Sequence, residues 1–248
     1  MYQPRFYRKE MGSDRFKAFT VLYKETDLWI GVNGNCNIGR VKEFVLNKII
    51  ELRNQLENYL RLDPGFFKSL SPYRVQEYAP EIAKIMADAA ARAGVGPMAA
   101  VAGAFSREIG KSVEEEFGIE EIIIENGGDL YLKSKETLFI SVYAGNSPVS
   151  GRICIEIPPV LSPLGICTSS GTVGHSLSFG KADAVTVLCK DAPTADAYAT
   201  ALGNLIKGPE GIQKALDKAP MIKEVLGIVV IVGDKIGARG NFKLVPVI

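Results

Sequence analysis

Residues 119–132 read IEEIIIENGGDLYL, two apolar, branched-rich runs joined by paired glycines. Gly127 and Gly128 permit backbone angles and close approaches that a side chain obstructs, so the segment reads as strand, tight turn, strand. Asp129 follows at once, placed either to fix the turn or to accept hydrogen bonds from a ligand. The runs TLFISVYAG and RICIEIPP come next, again short and separated by turn residues. Short strands in this order favour an α+β protein over a regularly wound dinucleotide-binding sheet.

The flanking chain supports that class. FKAFTVLY and DLWIGV, separated by KET, form an early hairpin. Phe44, Val45, Ile49, Leu52, Leu56 and Tyr59 make the apolar stripe of a helix, which DPGFFKSLSP interrupts. That interruption is expected to leave Phe66 and Phe67 in a loop, folded back on the core or serving as a cover or subunit contact. Two more helices are expected over about 75–93 and 98–117, the second ending at Gly118. Its entrance, GVGPMAAVAGAF, allows close backbone packing or exposes amide protons to a phosphate. Beyond GICTSSGT come a strand at AVTVLC, a helix near PTADAYAT, a short helix over about 209–219, and strands GIVVIVG and FKLVPVI. The pattern suggests two packed strand-and-helix halves with largely antiparallel sheet. They form one domain over 1–248, with a subdomain boundary near 118–120 or a single continuous sheet.

With 47% hydrophobic residues in a chain of 248, a substantial core can be buried. Twenty-nine basic against 28 acidic residues leave a net charge of +1, which provides no field to gather nucleic acid. The first 24 residues are locally basic, with Arg5, Arg8, Lys9, Arg15, Lys17 and Lys24 against Glu10 and Asp14, a solvated strand with its leader or an anion-facing edge. No apolar run approaches the roughly 20 residues that span a bilayer, and charge stands where a secretion signal would be apolar. A cytoplasmic protein is expected. Cys36, Cys154, Cys167 and Cys189 lack CxxC pairing and read as reduced structural thiols.

Two polar clusters carry chemistry. In DAYATALGNL, Asp196 and Thr200 lie four positions apart, so a helix turns both the same way. Carboxylate and hydroxyl oxygens suit a hard cation such as magnesium, and the same two residues can instead cap and brace their own helix. In TSSGTVGHS, hydroxyls at Thr168, Ser169, Ser170, Thr172 and Ser176 alternate with glycines, including Gly171, in a loop suited to phosphate oxygens. It lacks the P-loop spacing and the GxSxG elbow. His175 can orient a ligand or satisfy a local hydrogen bond. Asp183, in GKADAVTV, either completes the polar site or caps a turn.

Taken in order, GPMAAVAGAFSREI, IIIENGGDLYL, GICTSSGTVGHS, ADAVTVL and DAYATALGNLI resemble the ApbE-like superfamily of flavin-transfer proteins. The closer resemblance is to its uncharacterised-protein-family 0280 branch. The resemblance implies a mixed α+β fold with a ligand cleft between its halves. In transferring members, a magnesium-assisted reaction cleaves the FAD pyrophosphate, moves the FMN phosphoryl group to a protein threonine and releases AMP. By similarity, Asp196 and Thr200 form the metal pair, NGGD with Asp129 lies near the flavin ligand, and TSSG lies near phosphate and metal. This chain departs from the transferase pattern at HSLSFGKADAVTV, which lacks an aspartate-proline continuation. It departs again at GAFSREI, where a GYAVD-like segment is usual. The expected function is therefore a magnesium-dependent protein acting on a flavin or nucleotide diphosphate, as FMN transferase or FAD pyrophosphatase. The alternatives are a noncatalytic flavin- or nucleotide-binding module and a structural assembly protein, homo-oligomeric through its Phe66 and Phe67 segment.

Overall fold

The computed structural model describes Arg8 and residues 15–173 and 178–247, arranged in three layers. The middle layer is an eight-stranded sheet containing β1 (Lys17–Tyr23), β2 (Thr26–Asn33), β3 (Glu121–Asn126), β4 (Asp129–Lys133), β7 (Leu164–Ser169), β8 (Ala184–Cys189), β9 (Val225–Val232) and β10 (Lys235–Gly240), in that order. A smaller sheet of β5 (Leu138–Ser141), β6 (Ile153–Ile157) and β11 (Lys243–Pro246) covers part of one face. All the strand pairings described are antiparallel. The opposite face carries α1 (Ile38–Leu62), α2 (Pro64–Lys68), α3 (Glu81–Ala93), α4 (Val101–Phe117), α5 (Ala192–Gly203) and α6 (Gly211–Lys218).

Two covered faces explain why the central strands read as unbroken apolar runs rather than alternating ones. On β3, Ile122 and Ile124 face the helices, while Ile123 faces the small sheet beside Trp29 and Leu130. The outer strands β1 and β10 are largely exposed and carry Lys17, Lys235 and Arg239, charges that discourage edge-to-edge pairing. Strands before and after residues 118–120 pair directly, β2 with β3, within this one sheet. Among the described residues, no helix is long and apolar enough to cross a membrane.

Local chemistry sets the helix limits. Asn37 caps α1 by accepting the Arg40 N–H at 3.2 Å, and Val41, Val45, Ile49, Leu52, Leu56 and Tyr59 form its buried face. The third helix begins at Glu81, not near 75, because Pro80 occupies its N-cap and cannot extend the turn backward. The fourth begins at Val101 after a short 3-10 turn over Pro97–Ala100. Gly94 and Gly118 close α3 and α4 in the left-handed region, with φ of 73° and 62°.

The segment expected to be a loop is helical at Pro64–Lys68, and its two phenylalanines part company. Phe66 is fully buried against Tyr59, ring centroids 5.2 Å apart, whereas Phe67 is exposed. Beneath them, Asp63 accepts hydrogen bonds from the Tyr59 and Tyr73 hydroxyls at 2.9 and 2.6 Å. Phe66→Ala is accordingly expected to cost about 3–5 kcal/mol in urea denaturation, and Phe67→Ala no more than about 0.5 kcal/mol.

Candidate functional site

The start of α5 is wedged between the sheet and α4. A β-carbon on Gly165 of β7 would lie 2.3 Å from the Ala192 Cα, and one on Gly103 of α4 would lie 2.5 Å from the Ala192 carbonyl oxygen. Both glycines let backbones touch where a methyl group would force them apart. This approach brings Asp196 to the first turn of α4, where its Oδ2 accepts the Gly103 N–H at 2.9 Å. Asp196 therefore caps a neighbouring helix rather than its own, whose N-cap position is held by Asp191. Of the two readings of the glycine-rich entrance, close backbone packing holds at Gly96 and Gly103, and the Gly103 amide is taken by this carboxylate.

Asp129 opens β4 on the far side of the glycine turn. Its Oδ1 accepts the Thr168 N–H at 3.2 Å, and its backbone carbonyl accepts the Ser106 hydroxyl at 3.0 Å. The turn is held by Glu125, which accepts the Gly128 N–H at 2.8 Å and the Arg8 Nε–H at 2.6 Å. On the neighbouring strands, the Thr168 and Thr186 hydroxyls are hydrogen-bonded at 2.8 Å.

These residues border one cavity of about 520 Å³ where the large sheet meets the small one. One group of lining residues is polar, with Gly127, Gly128, Asp129, Thr168, Ser169, Ser170, Asp196 and Thr200; the remainder is largely apolar and aromatic, with Trp29, Ile123, Leu130, Phe139, Ile140 and Tyr143, and includes Arg15. Thus Asp196 and Thr200, one turn apart on α5, do face the same space. Gly171 does not line it: its N–H donates to the Ala182 carbonyl at 2.9 Å, and it packs against the Gly180 backbone. Asp183 takes the second of its two readings: its carboxylate ties a turn by accepting the Thr172 hydroxyl at 2.8 Å and the Gly233 N–H at 2.7 Å. His175 lies outside the described residues.

Electrostatically the polar end is under tension. Burial, followed by the nearby Asp196 charge, raises the Asp129 carboxyl well above its ordinary range. Burial likewise pushes Asp196 up to about 7, against the opposing pull of the Gly103 and Ala102 amides. The Cys167 thiol beneath them donates to the Ala192 carbonyl at 3.3 Å and is held firmly protonated by burial and the two carboxylates. A proton or a cation relieves this repulsion. Among the described residues, no three His, Cys, Asp or Glu side chains gather as a metal set. Two carboxylates and a hydroxyl still fit magnesium, which commonly takes one or two protein carboxylates and fills its shell with phosphate and water.

Sequence reasoning passed over Trp29, Glu125 and Thr186. Their signals were faint: a lone tryptophan in an early hairpin, an acid just before the glycine turn, and a threonine within an apolar strand.

The fold is that of the ApbE-type flavin transferases. The flavinyl transferase ApbE of Pseudomonas stutzeri superposes with a TM-score of 0.57 at 15% identity, covering 90% of this chain and 93% of the other. The flavin transferase ApbE of Vibrio cholerae gives 0.54 at 14%, covering 93% and 96%. A family described as AbpE bacteria matches residues 8–226. The UPF0280 protein of Methanocaldococcus jannaschii is 41% identical over 226 residues, 89% of each chain, and that of Methanocella arvoryzae is 43% identical over 196 residues, 79% of each. The chain belongs to the UPF0280 family.

The raised carboxyls have a measurable consequence. Between the ordinary aspartate pKa and about 7, the folded state holds a proton at Asp196 that the unfolded chain has released, so stability falls as pH rises through that window. In metal-free buffer, the Asp196 proton alone is expected to lower stability from pH 4 to 7 with a slope approaching about 1.4 kcal/mol per pH unit, and the raised Asp129 carboxyl adds to it in the same direction. Asp196→Asn, which keeps an oxygen for Gly103, should flatten that slope in urea denaturation across the same range.

Proposed function

We propose that this protein binds a flavin or related nucleotide carrying a phosphate or diphosphate, together with magnesium, and acts on the phosphate linkage as an FMN transferase or FAD pyrophosphatase. The observation that carries the proposal is the convergence of Asp129, Asp196 and Thr200 with the Thr168–Ser170 hydroxyls in a cavity whose remainder is largely apolar and aromatic. Such a division suits a ligand with a phosphate at one end and a flat ring at the other.

Asp196 and Thr200, with Asp129 beside them, would hold the cation. Bound magnesium supplies positive charge to the nonbridging and leaving oxygens of a phosphate under attack. The chain's own groups do the rest. The Thr168, Ser169 and Ser170 hydroxyls orient phosphate oxygens, and the Gly127–Gly128 turn allows a ligand to come close to the backbone. The apolar walls exclude water. In a transfer reaction the nucleophile would be a threonine of a partner protein, so no serine here needs to become a covalent nucleophile. The four free thiols, three of them buried, support a reducing, cytoplasmic setting.

Isothermal titration with FAD, FMN and ADP, with and without magnesium, tests the proposal. Saturable binding that strengthens with magnesium is expected. Asp196→Ala should reduce the magnesium enhancement at least tenfold, and Thr200→Ala by less, because water can replace a neutral oxygen more readily than an ionised one. Absence of saturable binding to the folded wild type would refute the proposal. Magnesium-dependent binding without AMP or FMN release would assign the noncatalytic role instead.

A further inference from the structure

Arg15 is the one basic side chain among the described residues that line the cavity. Its surroundings are specific. Nη2 donates to Glu121 and, at 2.7 Å, to the Ser134 hydroxyl; Nη1 pairs at 3.1 Å with Glu136, whose side chain is 71% exposed. The guanidinium carbon stands 5.0 Å from the Phe16 ring centroid. Nε is buried and, among the described residues, has no hydrogen-bond partner. A buried N–H without an acceptor is costly, so the protein leaves this guanidinium short of partners. Nη1, whose one partner among the described residues is the largely exposed Glu136, keeps a second N–H for an acceptor in the cavity.

The position of Arg15 matters as much as its chemistry. It is anchored to Glu121 at the start of β3, whereas Asp129 pairs with Asn126 at that strand's end. The length of β3 separates them, roughly 17 Å at about 3.4 Å per residue. Between the two ends lies Trp29, whose indole is folded over the bare backbone of Gly31; a β-carbon there would meet its Cη2 at 2.9 Å. An acidic end, a flat aromatic middle and a single guanidinium thus follow one another along the cavity. The acidic end needs a cation before it can take phosphate, so the other end is left to read the ring.

We infer that Arg15 is a specificity-determining residue that donates to the hydrogen-bond acceptors on the ring edge farthest from the ligand's phosphate, with the ring lying against Trp29. The ligand class this selects is a fused planar ring with carbonyl acceptors at its remote edge, as in the dione edge of a flavin, and not the adenine of ADP, whose remote edge carries an amino donor. Ligands with the phosphate but no such edge gain nothing from Arg15. The inference rests on the flavin reading above and adds the orientation of the ring.

Calorimetric titration of FMN and ADP, each with magnesium, against the wild type, Arg15→Met, Arg15→Lys and Asp196→Ala decides the matter. Arg15→Met should weaken FMN roughly ten- to hundredfold, the effect of losing a charge-assisted hydrogen bond, while ADP changes less than about twofold. Arg15→Lys keeps a cation for Glu121 but loses the planar fork, so it should show the same selective loss and serves if the methionine variant does not fold. Asp196→Ala should weaken both ligands. Unchanged FMN affinity in a folded Arg15 variant, with both ligands lost in Asp196→Ala, overturns the role of Arg15 and leaves the flavin reading standing. Equal loss of FMN and ADP in Arg15→Lys also overturns it, because Arg15 then serves phosphate or the fold. A wild type that binds neither ligand refutes both this inference and the flavin reading, without reference to any variant.

Discussion

The contact between the Asp196 carboxylate and the first amides of α4 organises this molecule. A helix start leaves N–H groups unpaired and carries partial positive charge, so a carboxylate is a natural partner for it. Here the partner comes from a second helix, and it can reach only because Gly103 and Gly165 let α5 press against α4 and β7. Pressed so close, Asp196 also lies within electrostatic reach of Asp129 at the glycine turn. One packing solution thus stabilises a helix and creates a pair of buried acids whose charges oppose one another. The first effect is structural, and the second raises both carboxyls and makes the site responsive to protons.

The cavity inherits its division from the layering. Strand residues with side chains on the small-sheet side, such as Trp29, Ile123 and Leu130, supply the apolar floor, and β5 with the segment after it supplies the opposite wall. At the strand ends the floor stops, and the helix-side residues Asp129, Asp196 and Thr200 come into view. A sheet covered on both faces therefore yields a pocket that changes from apolar to ionic along its length. The same fold is found in flavin transferases at low identity, which speaks for the architecture alone.

Much of this was legible in the sequence, for identifiable reasons. The glycine turn at 127–128 and the branched runs around it determine local conformation, and their hairpin forms as expected. The four-residue spacing of Asp196 and Thr200 is equally local, and one helix carries both. What could not be read depended on distant partners. Phe66 and Phe67 are chemically identical neighbours, and only the position of Tyr59 on α1 decides which is buried. Gly171 and Asp183 look ligand-facing in isolation, yet Ala182, Thr172 and Gly233 claim their polar groups. Arg15 appeared as one of several basic residues near the start of the chain, and its place in the cavity follows from Glu121, more than one hundred residues away.

Asp129 and Asp196 form a buried acidic pair whose charges oppose one another. Carboxyl carbon-13 shifts of the aspartates, followed against pH with and without magnesium and ADP, measure this directly. The expected result is an Asp196 titration near pH 7 in metal-free buffer that moves down by more than one pH unit when magnesium and ADP are added. An Asp196 that titrates near the ordinary aspartate value of about 3.9 and does not respond to the metal would contradict the claim.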